Sequence, residues 1–312
     1  MSTKIEWTDE TWNPVTGCTK VSPGCDHCYA EGIAHRFAGT KAYPNGFDVT
    51  LRPERLEQPL RWTRPRMVFV NSMSDLFHRD IPDEYIARVF AVMALASQHT
   101  FQILTKRHGR MRSLLSDRWW SETLLPELIH ELAAGRGYEV RYPLPNVWLG
   151  VSTEDQQRAE LRIPALLDTP AAVRFISAEP LLGPIDLFSR SSIDRNPQLD
   201  WVIVGGESGP GARPMHPNWA RRLRDQCAEA EIAFFLKQWG EWVPESFLKH
   251  RDNAPAAFLD ADGMCRPLVN GIPTDPPRAR GDAITIRRVG KKTAGRVLDG
   301  RQHTAWPKAV TA

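Results

Sequence analysis

No run of about 18 apolar residues occurs in the 312-residue chain, so the sequence predicts no membrane-spanning helix. The opening segment, Met1 to Thr11, is polar and acidic and lacks the basic and apolar regions of a secretory signal, so a cytoplasmic protein is the expectation. Cysteine is scarce: five residues, an odd number, which argues against a disulfide framework in an unexported chain. No glycine-rich dinucleotide fingerprint follows the first predicted strand, which removes the usual signature of an open nucleotide-binding sheet. Hydrophobic content of 42% and charged content of 25% are ordinary for a globular protein, and the length suffices for one large barrel with an appendage, or for two domains.

No charge sign dominates overall, since the net charge is only +3, but the charge is unevenly placed. Residues 276–308 carry nine Lys or Arg, among them Arg278, Arg280, Lys291, Lys292 and Arg296, against Asp282 and Asp299. That segment is locally +7 and the remainder −4. A basic module on a mildly acidic body suits an anionic partner, DNA or RNA, with Lys291, Lys292 and Arg296 as candidate phosphate contacts and Trp306 and His303 as flat side chains beside them. The alternatives are a solvated basic surface or a segment folded back onto the body.

Short apolar runs alternate with helical patterns. Strands are predicted near 11–13 and at 68–71, 101–105, 147–151, 173–177, 201–205 and 233–237, seven in all. Their near-continuous apolar character fits a parallel sheet buried on both faces. Pro82 and Asp83 open a helix with Ile86, Val89, Phe90 and Met93 on one stripe; 155–167 is helical, and Trp219, Leu223 and Cys227 share a face of another helix. The alternation predicts an α/β fold, a complete or partial TIM-type parallel barrel with a C-terminal basic appendage; an open doubly wound sheet is the second choice. The predicted organisation is a barrel over 1–244, with a cysteine loop at 17–30 and an insertion at about 117–145 holding a helix at 122–134. An appendage follows over 245–312, with a short strand at 283–286, and 189–199 is a polar loop.

In such barrels chemistry sits at the C-terminal strand ends. Here those ends carry Asn71-Ser72-Met73-Ser74-Asp75, Thr105-Lys106-Arg107-His108, Ser152-Thr153-Glu154, Ser177-Ala178-Glu179-Pro180, Gly205-Gly206-Glu207-Ser208 and Lys237-Gln238. A site lined by Asp75, Lys106, Glu179, Glu207 and Lys237 is expected, unless these charges only pair to cap the mouth. Arg213 and His216 are candidate anion holders or simply exposed.

Cys18, Cys25 and Cys28 fall within eleven residues, spaced C-x6-C-x2-C, in a loop that Gly17, Pro23 and Gly24 allow to curl. Three soft thiolates suit an iron–sulfur cluster with one iron left open, or a zinc ion completed by His35 or His27. Cys227 reads as core packing, and Cys265 has no partner motif.

The run Thr11-Trp12-Asn13-Pro14-Val15-Thr16-Gly17-Cys18, continuing to Cys25-Asp26-His27-Cys28-Tyr29-Ala30, resembles the phage-associated three-cysteine family of unassigned function. Its members look like divergent radical S-adenosylmethionine (SAM) enzymes. The resemblance extends to Phe175–Leu181, Val204–Gly209 and the tail Gly290–Arg301. The Cys-Asp-His-Cys-Tyr-Ala end is also similar to the cysteine loop of spore photoproduct lyase-like enzymes, which repair DNA. The resemblance implies a [4Fe–4S] cluster on Cys18, Cys25 and Cys28 and SAM on the open iron. It also implies reductive cleavage to a 5′-deoxyadenosyl radical, and an electron donor as partner. Ser72, Ser74, Asp75 and Ser152 would then contact the cofactor, and Glu179, Glu207 and Lys237 would serve the reaction. Two features depart from the usual pattern: six residues separate the first two cysteines instead of three, and the Gly-Gly-Glu after the second strand is replaced by Ser72–Asp75.

Three functions compete. One is an iron–sulfur, radical SAM-like enzyme acting on nucleic acid in modification or repair. Another is a non-catalytic nucleic-acid-binding protein with a structural zinc or cluster. The third is a metal-independent barrel hydrolase using Glu179 and Glu207 as acid and base.

Overall fold

In a computed structural model of the chain, residue 3 and residues 5–134, 137–188, 199–248, 253–269, 272–273 and 283–308 are described. Seven strands form one parallel sheet in sequence order: β1 (Glu10–Trp12), β2 (Met67–Val70), β3 (Thr100–Thr105), β4 (Val147–Ser152), β5 (Val173–Ala178), β6 (Trp201–Gly205) and β7 (Ala233–Gln238). All six neighbouring pairs are parallel. Most strands begin or end one residue away from the runs read in the sequence. The helices are α1 (Tyr29–Arg36), α2 (Asp83–Leu95), α3 (His108–Leu115), α4 (Leu125–Leu132), α5 (Gln156–Leu167) and α6 (Pro217–Glu229). The architecture is an α/β half-barrel flanked by helices.

The alternation within each strand makes two cores. Val68, Val70, Phe101, Ile103, Leu149 and Val151 pack with the helices, including Ile86, Val89, Phe90 and Met93 of α2. The intervening residues Phe69, Phe175, Trp201, Ile203 and Phe235 gather around Trp7 on the other face. Trp7, just ahead of β1, lies 4.7 Å from Phe69 and 6.3 Å from Trp201 between ring centroids. A residue beside the first strand thus meets the sixth, which requires a strongly curved sheet. Closure is incomplete: among the described residues β1 and β7 are not paired, so the complete barrel considered from the sequence is corrected to a partial one.

The predicted insertion holds helical residues, but α4 begins at Leu125, after a π turn at Trp120–Leu124. Trp120 is fully buried there, edge-on to Phe90 of α2 at 5.3 Å. The tertiary anchor fixes the start of the segment where local pattern does not. Asp155 caps α5 by accepting from Arg158 N at 2.9 Å, and Trp219, Leu223 and Cys227 of α6 are buried as expected.

After β7 comes an antiparallel sheet that the sequence barely announced: β8 (Trp242–Pro244), β9 (Ala256–Leu259), β10 (Cys265–Val269), β11 (Ile272–Pro273) and β12 (Ile284–Arg288), in the order β8-β12-β9-β10-β11. The polar loop predicted at 189–199 falls almost wholly outside the described residues, as do Arg278, Arg280 and Asp282 of the basic segment.

The last described stretch folds back on the half-barrel. Leu236 N donates to His303 O at 2.9 Å and Ala305 N to Phe234 O at 3.2 Å, covering the free edge of β7. Trp306 stacks on Trp201 at 4.9 Å, and His303 is buried against Phe234. His303 is therefore not a free stacking platform, which corrects that expectation. Asp299 accepts from Arg221 and Arg224 of α6, and these contacts hold its carboxyl at about 2. A depressed carboxyl contributes stability above its ordinary value near 3.8 and loses it as pH falls through about 2. Acidification from pH 4 to 2 should therefore loosen the tail, followed by Trp fluorescence, with Asp299→Asn flattening that step. An identical acid profile in the two proteins would refute the link.

Candidate functional site

The concave face carries apolar residues toward the strand starts and polar ones toward the C-terminal ends. There the cysteine loop closes over a cavity of about 510 Å³. Cys18, Cys25, Cys28, Ser72, Ser74, Asp75, Lys106, Ser152, Glu179, Glu207, Lys237 and Lys291 all line it. Of the residues named for the cluster, the cofactor, the reaction and phosphate contact, all but exposed Lys292 and half-buried Arg296 meet there, whereas Arg213, His216, His35, His303 and Trp306 do not line it. Trp7, Phe69 and Leu104 supply apolar wall, and exposed Val21 and Tyr29 stand at its edge.

The loop is fastened at several points. Gly17 N donates to Met73 O at 3.0 Å and Cys18 N to Phe47 O at 3.1 Å. Gly17 has a φ of +86°, and a Cβ there would lie 2.1 Å from Asp48 O, so only glycine fits the bend. Thr19 meets buried His78 Nε2 at 2.9 Å and accepts from Arg107 Nη2 at 2.8 Å. Gly24 N donates to Glu154 Oε1 at 3.4 Å. Burial raises the Glu154 carboxyl, but Arg162, 2.8 Å away, acting with Lys106 and neighbouring hydrogen bonds, keeps the group below its usual value.

Glu207 and Arg213 form the far clamp. Arg213 Nη2 donates to Glu207 Oε1 at 2.7 Å, and its Nε and backbone N donate to Oε2 at 2.9 and 2.8 Å. The same guanidinium reaches Pro23 O at 2.8 Å and Asp26 at 3.1 Å in the cysteine loop. His27 Nδ1 lies 3.0 Å from Glu207 Oε2. Burial raises the Glu207 carboxyl, yet Arg213 and His27 hold it low. Arg213 is thus neither free nor waiting for an external anion, and His216 is the buried N-cap of α6. Removing one partner of a buried pair costs about 3–5 kcal/mol, less here because Arg213 is 31% exposed. Arg213→Ala should cost about 2–3 kcal/mol and open residues 17–30 to protease. An unchanged melting temperature and cleavage pattern would remove the clamp.

Other charges pair internally. Lys237 Nζ lies 2.8 Å from Glu179 Oε1, which also accepts from Gln238 Nε2 at 3.1 Å. Asp75 accepts from Thr105 Oγ1 at 2.7 Å and from Lys106 N at 2.9 Å. Ser74 Oγ donates to Val15 O at 2.9 Å, Ser72 Oγ meets Asn13 Oδ1 at 3.2 Å, and Lys106 Nζ donates to Ser152 Oγ at 3.3 Å. Much of the candidate set therefore shapes the mouth as well as facing it.

All three loop cysteines are free thiols. Burial and the nearby Asp75 carboxylate raise the Cys18 thiol above its ordinary value, against the pull of Arg107. Among the described residues, no three His, Cys, Asp or Glu side chains gather tightly enough to hold a single metal ion. His35, offered as a fourth zinc ligand, is exposed on α1 and does not line the cavity.

Over residues 2–307 the chain matches the family described as "Protein of unknown function (DUF5131)". The chain belongs to that family. No curated protein and no solved structure matches this family member significantly. No helix among its described residues is long and apolar enough to cross a membrane.

Sequence reasoning missed the clamping roles of Arg213, His27 and Glu154. Their partners lie 6, 180 and 130 positions away, and only the Glu207–Arg213 spacing is local enough to suggest itself. It also quoted Asn71 without giving it a role.

Proposed function

We propose that this protein is an iron–sulfur, radical SAM-like enzyme on a TIM-type partial barrel. In this reading Cys18, Cys25 and Cys28 hold a [4Fe–4S] cluster. One observation carries it: three free thiols within eleven residues line a single cavity at the C-terminal ends of a parallel sheet, beside Ser72, Ser74, Asp75 and Ser152. When bound, the cluster with SAM supplies a 5′-deoxyadenosyl radical for hydrogen abstraction, given an external one-electron donor.

The chain's own residues position and seal. Glu154, Glu207 and Arg213 fix the loop, while Trp7, Phe69 and Leu104 keep the inner wall dry. The Glu179–Lys237 pair stands ready to orient a polar substrate group. Lys291, brought to the rim by the tail, adds a cation facing the opening, in keeping with a nucleic-acid substrate.

Anaerobically purified protein should be brown, with about four irons and matching sulfide per chain. Once reduced, it should cleave SAM to 5′-deoxyadenosine and methionine. Stoichiometric zinc without sulfide would establish the structural-metal alternative, and a cluster without SAM cleavage would sink the enzyme reading alone.

A further inference from the structure

Asn71 follows β2 directly and is 3% exposed, yet neither its Oδ1 nor its Nδ2 has a hydrogen-bond partner. Both atoms are orphaned in a residue that lines the cavity. A buried unsatisfied amide is costly, and native structures rarely keep one without a reason. Its backbone is equally unusual, with a φ of +60° in the left-handed region. The backbone N is satisfied by Trp12 O at 2.8 Å, so only the side chain is left open. Two further polar atoms in the same cavity are also unpartnered: Gln238 Oε1, in a side chain 5% exposed, and Trp7 Nε1, in one 2% exposed.

We infer that Asn71 is a ligand-binding residue whose carboxamide pairs with a nucleobase edge. A carboxamide offers one donor beside one acceptor, the complement of a planar edge carrying an acceptor beside a donor, as when asparagine reads adenine through N6 and N7. The surroundings favour a flat, largely apolar ligand with a polar rim. Phe69, two residues before Asn71, lines the same cavity, and Trp7 meets that ring edge-on at 4.7 Å. A base slid against this wall buries its faces on apolar surface while its edge satisfies Asn71.

This deepens the proposed function, on which it rests for the choice of ligand: the base belongs either to the adenosyl group of SAM or to a nucleotide of the substrate. The left-handed backbone supplies the discriminating variant. Asn71→Gly keeps that conformation without strain and removes the amide, so it leaves the fold intact. Asn71→Asp keeps the shape and removes the donor.

Full-length protein would be titrated calorimetrically with SAM, with adenosine, guanosine, cytidine and uridine, and with a short single-stranded oligonucleotide. Both variants should lose about tenfold or more in affinity for at least one probe with iron content unchanged, and Asn71→Gly should also keep the wild-type melting temperature, whereas the buried carboxylate of Asn71→Asp lowers it. A loss confined to SAM and adenosine assigns the base to the cofactor; a loss confined to the other nucleosides or the oligonucleotide, with SAM unaffected, assigns it to the substrate. Wild-type affinities retained in Asn71→Gly would overturn the inference and leave Asn71 as a turn residue. So would failure of the wild type to bind any of the probes. The cluster proposal is judged separately, on iron and sulfide, so each can fail alone.

Discussion

Alanine at Cys18, Cys25 or Cys28 should abolish iron binding outright, whereas alanine at Cys227 should leave the iron in place. The three loop thiols share one cavity wall, and a cluster held by three cysteines has no protein ligand to spare. The protonation state sharpens the expectation. Burial, then Asp75, raise the Cys18 thiol, so without metal it holds its proton at neutral pH. The thiolate forms as metal replaces the proton, and iron loading should therefore weaken on acidification. Cys227 lies within α6 at zero exposure, and burial pushes its thiol to about 12; it is a packing group with no route to metal. Cys227→Ala should cost about 1 kcal/mol through a small cavity and keep the brown colour. Iron and sulfide analysis of the four variants, each checked by circular dichroism, decides the point. Full iron in Cys18→Ala, or equal loss in a folded Cys227→Ala, would dismantle the three-cysteine assignment.

The parallel sheet was legible because each strand is buried on both faces. Trp201–Gly205 is wholly buried, and such runs announce themselves as continuous apolar segments between helical periods. Convergence of the strand-end residues was legible for the same reason: order and direction in a parallel sheet fix which ends meet. The antiparallel sheet after β7 was not. Its strands sit among proline, aspartate and asparagine, and β12 has one buried residue in five, Ile286, so no period stands out. Nor could a sequence show that Glu207, singled out as a catalytic candidate, is bound to Arg213 and His27, or that Glu179 is bound to Lys237. Pairing across the mouth depends on distances that no local pattern encodes. The tail was read as basic, and its charge is real; what the reading lacked was the edge of β7, whose exposed hydrogen-bonding groups give residues 303–305 a place to dock.

Gly206→Ala should be among the most damaging single changes in the chain, although it adds only a methyl group. A Cβ at Gly206 would fall 1.9 Å from Trp239 O, and one at Gly240 would fall 2.1 Å from Glu207 O. The two backbones cross with no side chain between them, and neither clash can be relieved by turning a rotamer. Gly206 N is also tied to Gln238 O at 2.9 Å across the crossing, and Trp239 N is held from its far side by Gly295 O at 2.9 Å. Overpacking commonly costs about 1–3 kcal/mol, and a clash between backbones belongs at or above the top of that range. The next residue is Glu207, so the displacement passes directly to the carboxylate that holds His27 and Arg213. The expected result is a steep loss of thermal stability together with increased protease cutting within residues 17–30. Gly32→Ala is the control. It lies inside α1, a Cβ there meets nothing within 4 Å, and replacing a helical glycine should be neutral or stabilise by about 0.5–1 kcal/mol. Wild-type melting in Gly206→Ala would mean the crossing is looser than these distances require, and with it the rigid link from β6 to the cysteine loop.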